Sequence, residues 1–382
     1  MPDSMGPREA LPRGPAAARR AANLRDRVFD PGSLVQAERT PYQVIHQQDI
    51  IRLRWYPPLA ERRIELDQGS LEVRPQSLPV PLVLVAPLAV NMSIYDLFPQ
   101  RSLVRYLLAR GFSLYLVDWG RPQARHDHWR LGTYITELLP DLLERVRAHA
   151  GVRPLSLHGW SFGGLFAYCY AAWSGDPDLV NLALVGAPCD YHNNGMLGRQ
   201  YQLLGRVVRR LGRHTGLRPH ALPPRLLRMP GWINSFAYKL TNPVASLRPH
   251  LDLLRNLHDR ERVAAHATNA AFLDDMVAYP GGVIQDTLQY LWTDNVLAAG
   301  GLPIAGCEAR LSSIAANLLA VAGSGDPIVT PECARTLLRF PQGADQTFLE
   351  VPGGHMAILG GSQAASQVWP AVADWLERRS QG

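Results

Sequence analysis

Short apolar runs separated by longer amphipathic stretches set the pattern of this chain from residue 42 onward. Residues 42–46 and 50–56 mix apolar and polar positions on either side of a short polar turn, which predicts a hairpin. The runs at 80–86, 113–117, 155–158, 182–186, 317–322 and 347–351 are strongly apolar, as strands buried on both faces are. Between them, 101–110 and 134–148 have helical periodicity. In the second, Ile135, Leu138, Leu139, Leu142, Leu143 and Val146 share one face, and Pro140 predicts a kink. Strands alternating with helices predict an α/β protein with a doubly wound, right-handed, mostly parallel sheet.

The pattern breaks twice. Residues 1–39 are rich in Pro, Ala, Gly and Arg and lack a hydrophobic period, so they read as a flexible arm. Between the strands at 182–186 and 317–322 lie about 125 residues, far more than a connection needs. A mainly helical cap is expected there, over 191–312, inserted between the two parts of a core at 40–190 and 313–382. Its Trp232, Phe236, Phe272, Met276, Tyr279 and Leu291 are candidates to line an apolar substrate pocket or to form the cap's own core.

Composition narrows the class. Of the 382 residues, 47% are hydrophobic and 19% charged, with 32 glycines and 31 prolines, which fits a loop-rich globular enzyme rather than a disordered or coiled-coil chain. The formal net charge is +6, and nearly all the positive charge is arginine, since Lys239 is the one lysine. No recognition motif or interleaved aromatic pattern accompanies it, so nucleic acid is not an expected partner. The charge gathers in the N-terminal arm and at 199–228, where Arg206, Arg209, Arg210 and Arg213 suit an anionic surface or the phosphates of a coenzyme A thioester, or simply form a solvated face. Cys169, Cys189, Cys307 and Cys333 have no metal-ligand spacing and read as small buried side chains in a reducing compartment. There is no apolar run long enough for a signal peptide or transmembrane segment, and a cytoplasmic location is expected.

The chemistry concentrates at Gly159-Trp160-Ser161-Phe162-Gly163. An apolar strand runs through this glycine-flanked turn into a helix, and the small flanks allow a strained apex that pushes the serine hydroxyl outward. This resembles the nucleophile elbow of the α/β-hydrolases. Asp326 and His355 each end a strand-like run, so nucleophile, acid and base follow the order Ser, Asp, His, past the carboxyl ends of strands. A serine hydroxyl is a weak nucleophile at neutral pH; it needs a base, and the base needs a carboxylate to fix its tautomer. Ser161, Asp326 and His355 are the expected catalytic residues; Asp190 competes for the acid, and His158, His126 and His128 for the base. The oxyanion of the tetrahedral intermediate needs two donors. One is the backbone N–H of Phe162, the other that of Ala89 or Val90, between which the sequence does not choose. There is no sign of a metal or organic cofactor.

Further segments support a more particular resemblance. Arg105-Tyr-Leu-Leu-Ala-Arg-Gly-Phe112, Leu114-Tyr-Leu-Val-Asp-Trp-Gly-Arg-Pro122, the elbow, Leu184-Val-Gly-Ala-Pro-Cys-Asp190 and Gly353-Gly-His-Met356 together resemble the polyhydroxyalkanoate synthases, especially the class III catalytic subunit. The resemblance spans residues 40–377 and is weak in the cap. It implies acyl transfer on hydroxyacyl thioesters or polyester, with Asp326 and His355 at the family's acid and base positions and a homo-oligomer or partner subunit. The family's nucleophile is cysteine, however, where this chain has Ser161, and Pro327 stands where histidine is common. An acyl group on serine is an ordinary ester, level with the polyester bond it would form, so water competes better. Hydrolysis of hydroxyacyl esters, thioesters or polyester through an acyl-enzyme is therefore the first expectation. Polymerisation of 3-hydroxyacyl-CoA is the alternative, and a non-catalytic protein of the polymer granule the third.

Overall fold

Eight strands hydrogen-bond into one sheet: β1 (Gln43–Gln48), β2 (Ile51–Tyr56), β3 (Leu82–Val85), β4 (Leu114–Asp118), β5 (Leu155–Trp160), β6 (Leu179–Val185), β7 (Asn317–Gly323) and β8 (Gln346–Val351). Their order is β1-β2-β4-β3-β5-β6-β7-β8; β1 and β2 form the antiparallel edge and every pairing from β4 to β8 is parallel. The structure is a computed structural model describing residues 15–216, 218–241, 251–304, 306–342 and 345–380. Every residue of β3, β4 and β5 is buried, which is why those runs carry no polar alternation.

The described helices that matter below are α1 (Pro15–Phe29), α2 (Leu103–Ala109), α3 (Leu139–Ala150), α4 (Phe162–Ser174), α5 (Gly195–Thr215), α6 (Gly231–Thr241), α7 (Arg260–Asp274) and α8 (Trp369–Arg378). The helix expected at 134–148 has two parts. A wide π-turn over Thr133–Leu138 runs without a break into α3, and Pro140 follows directly, where that wide turn already interrupts the regular α ladder.

The chain divides into two compact units, Met1–Gln36 with Asn242–Ala271, and Ala37–Thr241 with Phe272–Gly382. This changes two expectations. Part of the stretch read as a flexible arm is α1, followed by a turn whose Leu34 is buried against Val263, Ala264 and Ala267. Asn23 donates to the Leu257 carbonyl at 2.8 Å, and Arg260 pairs with Asp26 at 2.6 Å. Alanine, arginine and leucine favour a helix on their own, and the packing partner lies more than two hundred residues away, beyond the reach of local periodicity. The insertion read as one cap over 191–312 is likewise divided, with 242–271 in the first unit and its flanks in the second.

Candidate active site

Backbone geometry at the elbow follows from the glycines around it. Ser161 has φ 54° and ψ −125°, a left-handed conformation that a non-glycine residue adopts only under constraint. A side chain on Gly163 would put its Cβ 2.0 Å from the Val85 carbonyl oxygen, and one on Gly159 would put it 2.4 Å from the Gly164 Cα. Glycine is thus required where helix α4 crosses strands β3 and β5. The Ser161 N–H donates to the Val185 carbonyl at 2.9 Å, tying the apex to β6.

Two neighbouring strand ends supply the other groups. Asp326 follows β7 and is buried; its Oδ1 accepts the N–H groups of Ile328 at 2.8 Å and Val329 at 2.9 Å. Its Oδ2 lies 2.7 Å from His355 Nδ1, and His355 Nε2 lies 2.9 Å from Ser161 Oγ. A carboxylate only accepts, so Nδ1 carries the ring proton and Nε2 is left to accept from the serine hydroxyl. The loops are joined, since Gly325 N–H donates to the Gly353 carbonyl at 3.1 Å.

The imidazole is held on two further sides. The Trp160 indole N–H donates to the His355 carbonyl at 3.2 Å, with the ring centroids 5.3 Å apart. Gly186, at φ 56°, leaves room for the ring, since a Cβ there would sit 3.2 Å from His355 Cε1. Trp160 sits inside the elbow motif, but nothing in the motif signals its indole bond; Gly186 carried the only local cue, a glycine straight after a strand.

The loop after β3 is the second expected source of oxyanion donors. Ala89 has φ 71°, and among the described residues neither its N–H nor that of Val90 has an acceptor. The Ala89 carbonyl accepts the Val277 N–H at 2.8 Å, and Asn91 Nδ2 donates to the Asp275 carbonyl at 3.1 Å. Arg121 pairs with the Asp275 carboxylate. The loop is therefore anchored to residues 275–277, and Tyr279 beyond them brings its ring to 6.1 Å from Phe162. Phe162 begins α4, with its N–H at the unpaired helix start.

The competing residues are engaged elsewhere. Asp190 Oδ1 accepts from Asn193 N–H at 3.0 Å and from Asn295 at 2.8 Å. His126 lies 2.7 Å from Asp49 and accepts the Gln123 N–H, and His128 sits beside Trp129. His158 is buried within β5, where loss of water pushes its pKa down to about 4 and keeps the ring neutral. Of the residues considered for the pocket, Trp232 and Phe236 are mostly exposed, whereas Phe272, Met276 and Leu291 are buried. Cys307 is exposed, contrary to the expectation for all four cysteines. A cavity of about 620 Å³ bordered by Trp55, Tyr56, Arg74 and Phe112 lies toward the amino ends of β3 and β4, the end of the sheet opposite Ser161.

The alpha/beta hydrolase fold model matches residues 91–362, well over half of the chain. The chain belongs to that family. Among curated relatives, the poly(3-hydroxyalkanoate) polymerase subunit PhaC of Haloferax mediterranei is 26% identical over 91% of this chain, which spans 66% of that relative's length. The polymerase subunit PhaC of Allochromatium vinosum is 26% identical over 89% of each chain. A solved soluble variant of Saccharomyces cerevisiae monoglyceride lipase matches at TM-score 0.51 and 13% identity, covering 90% of this chain and 96% of that one. DcsB, solved with its substrate analogue, matches at TM-score 0.50 and 16% identity, covering 90% of this chain and 100% of that one. These two share the fold. Family membership and the polymerase relatives together support an enzyme of the hydrolase or acyltransferase type. Among the described residues, no helix is long and apolar enough to cross a membrane.

Proposed function

We propose that this α/β-hydrolase-fold enzyme transfers 3-hydroxyacyl groups from a coenzyme A thioester to the hydroxyl end of a growing polyester, through an acyl group on Ser161. The observation that carries the chemistry is the hydrogen-bonded chain from Ser161 Oγ to His355 Nε2 at 2.9 Å and from His355 Nδ1 to Asp326 at 2.7 Å. The substrate class rests on the polymerase relatives, which span most of this chain. They reverse the order expected from the nucleophile alone, which placed hydrolysis first.

Each step follows from the groups in place. Ser161 Oγ attacks the thioester carbonyl as its proton passes to His355 Nε2. Asp326 stabilises the imidazolium without taking the proton. The backbone N–H of Phe162, with that of Ala89 or Val90, faces the developing oxyanion. Collapse breaks the C–S bond, and the imidazolium returns the proton to the leaving thiolate. A chain-end hydroxyl then gives its proton to His355 and attacks the serine ester, restoring Ser161. With serine, the fall in free energy from thioester to ester comes at the first transfer; the second exchanges one ester for another. Polymerisation as a whole still runs downhill.

Hydrolysis is the second reading, favoured by Ser161 itself, because an ester-to-ester second step leaves water an effective competitor. Purified protein given 3-hydroxybutyryl-CoA separates the two: thiol release with insoluble polymer supports polymerisation, and thiol release with free acid supports hydrolysis. Absence of thiol release, together with no labelling of Ser161 by a fluorophosphonate, overturns both. That result leaves the non-catalytic granule protein.

A further inference from the structure

Helix α5 presents an apolar stripe to solvent. Met196, Leu203, Val207 and Leu211 recur at i, i+7, i+11 and i+15, on one face of the helix, and are 77%, 56%, 57% and 49% exposed. Gly198, Gly205 and Arg209 lie on the opposite face. There a Cβ on Gly205 would come 3.1 Å from the Thr293 carbonyl, which Arg209 also holds. The exposed stripe is therefore the side turned away from the body of its unit.

Charge decides what such a stripe suits. Arg199, Arg206, Arg210 and Arg213 follow at i, i+7, i+11 and i+14 and line one flank of the stripe, all exposed. The 21-residue helix contains no aspartate or glutamate. A second copy of the same face would set arginine against arginine, so self-association is disfavoured. An anionic lipid surface satisfies both halves, taking the apolar side chains among its acyl chains and the guanidinium groups among its phosphates. From this we infer that α5 docks the protein on anionic phospholipid surfaces, lying in the plane of the headgroups.

The test is flotation of the full-length protein with vesicles of phosphatidylcholine alone or with a third phosphatidylglycerol, at 0.1 M salt. The expected result is binding to the anionic vesicles that weakens as salt rises. The triple change Arg206→Gln, Arg210→Gln and Arg213→Gln lowers affinity by on the order of a hundredfold, given about fivefold per basic residue. The pair Leu203→Ser and Val207→Ser weakens it independently of salt, with an unchanged melting temperature confirming the fold. Equal binding of wild type and variants, equal binding to neutral vesicles, or no binding to anionic vesicles overturns the inference. So does a dimer in sedimentation velocity that the Leu203→Ser and Val207→Ser pair dissociates.

Discussion

The indole of Trp160 donates its N–H to the backbone carbonyl of His355 across 3.2 Å, so the residue just before Ser161 braces the loop that carries His355. Replacing Trp160 with Phe keeps an aromatic ring against the imidazole and removes the donor. A single neutral hydrogen bond contributes about 1 kcal/mol. The expected outcome is a fall in kcat of about fivefold with KM unchanged, measured as thiol release from a soluble hydroxyacyl thioester.

Asp326→Asn tests the tautomer argument. An amide in place of the carboxylate permits the wrong imidazole tautomer, with the proton on Nε2, where it no longer accepts from Ser161. Activity should fall on the order of 10⁴-fold while thermal stability changes little by comparison. Fluorophosphonate labelling of Ser161 should slow in parallel, since the probe needs the same activated hydroxyl.

The glycine at the helix start is a packing requirement. An added Cβ on Gly163 meets the Val85 carbonyl oxygen at 2.0 Å, and that oxygen belongs to a strand buried along its whole length. Gly163→Ala therefore displaces β3 or the elbow. A melting temperature lower by about 5 °C or more is expected in differential scanning calorimetry, as for other overpacked cores.

The clamp between Asp275 and the loop after β3 should matter far less. Its ion pair with Arg121 is half exposed, and such pairs contribute about 1 kcal/mol or less. The Ala89 carbonyl to Val277 N–H bond remains when the carboxylate is removed. Asp275→Ala should lower kcat by no more than about fivefold; a loss of several orders of magnitude would show that the carboxylate itself orders the oxyanion loop.

His158 predicts a pH effect on stability. Its pKa is about 4 in the folded protein, against an ordinary 6.5 in the unfolded chain. Above 6.5 the ring is neutral in both states and contributes no slope. As pH falls from 6.5 toward 4, the unfolded chain takes up a proton that the folded protein excludes, and stability drops by up to about 1.4 kcal/mol per pH unit. Substituting His158 with Gln should flatten this acid limb in a series of melting curves, and an unchanged slope would assign the limb to other groups.

What the sequence revealed depended on how local the cause was. The strands and the elbow were legible because burial on both faces writes itself as continuous apolar runs, and because glycine at 159 and 163 has few other uses beside a serine. Asp326 and His355 were legible as strand-end residues, while their distances from Ser161 needed the sheet order. Helix α1 was missed, since its contacts come from residues near 260 and its own face has no hydrophobic period. Trp160 was read past for a similar reason: its partner is a backbone carbonyl on a loop 195 positions away, which no side-chain pattern encodes.

The elbow hangs from β5, while Asp326 and His355 follow β7 and β8, more than 160 positions later in the chain. During synthesis, Ser161 leaves the ribosome long before the segment bearing Asp326 and His355 exists. Until those strands dock, its hydroxyl has no imidazole beside it, and Ser161 is no more nucleophilic than any other serine.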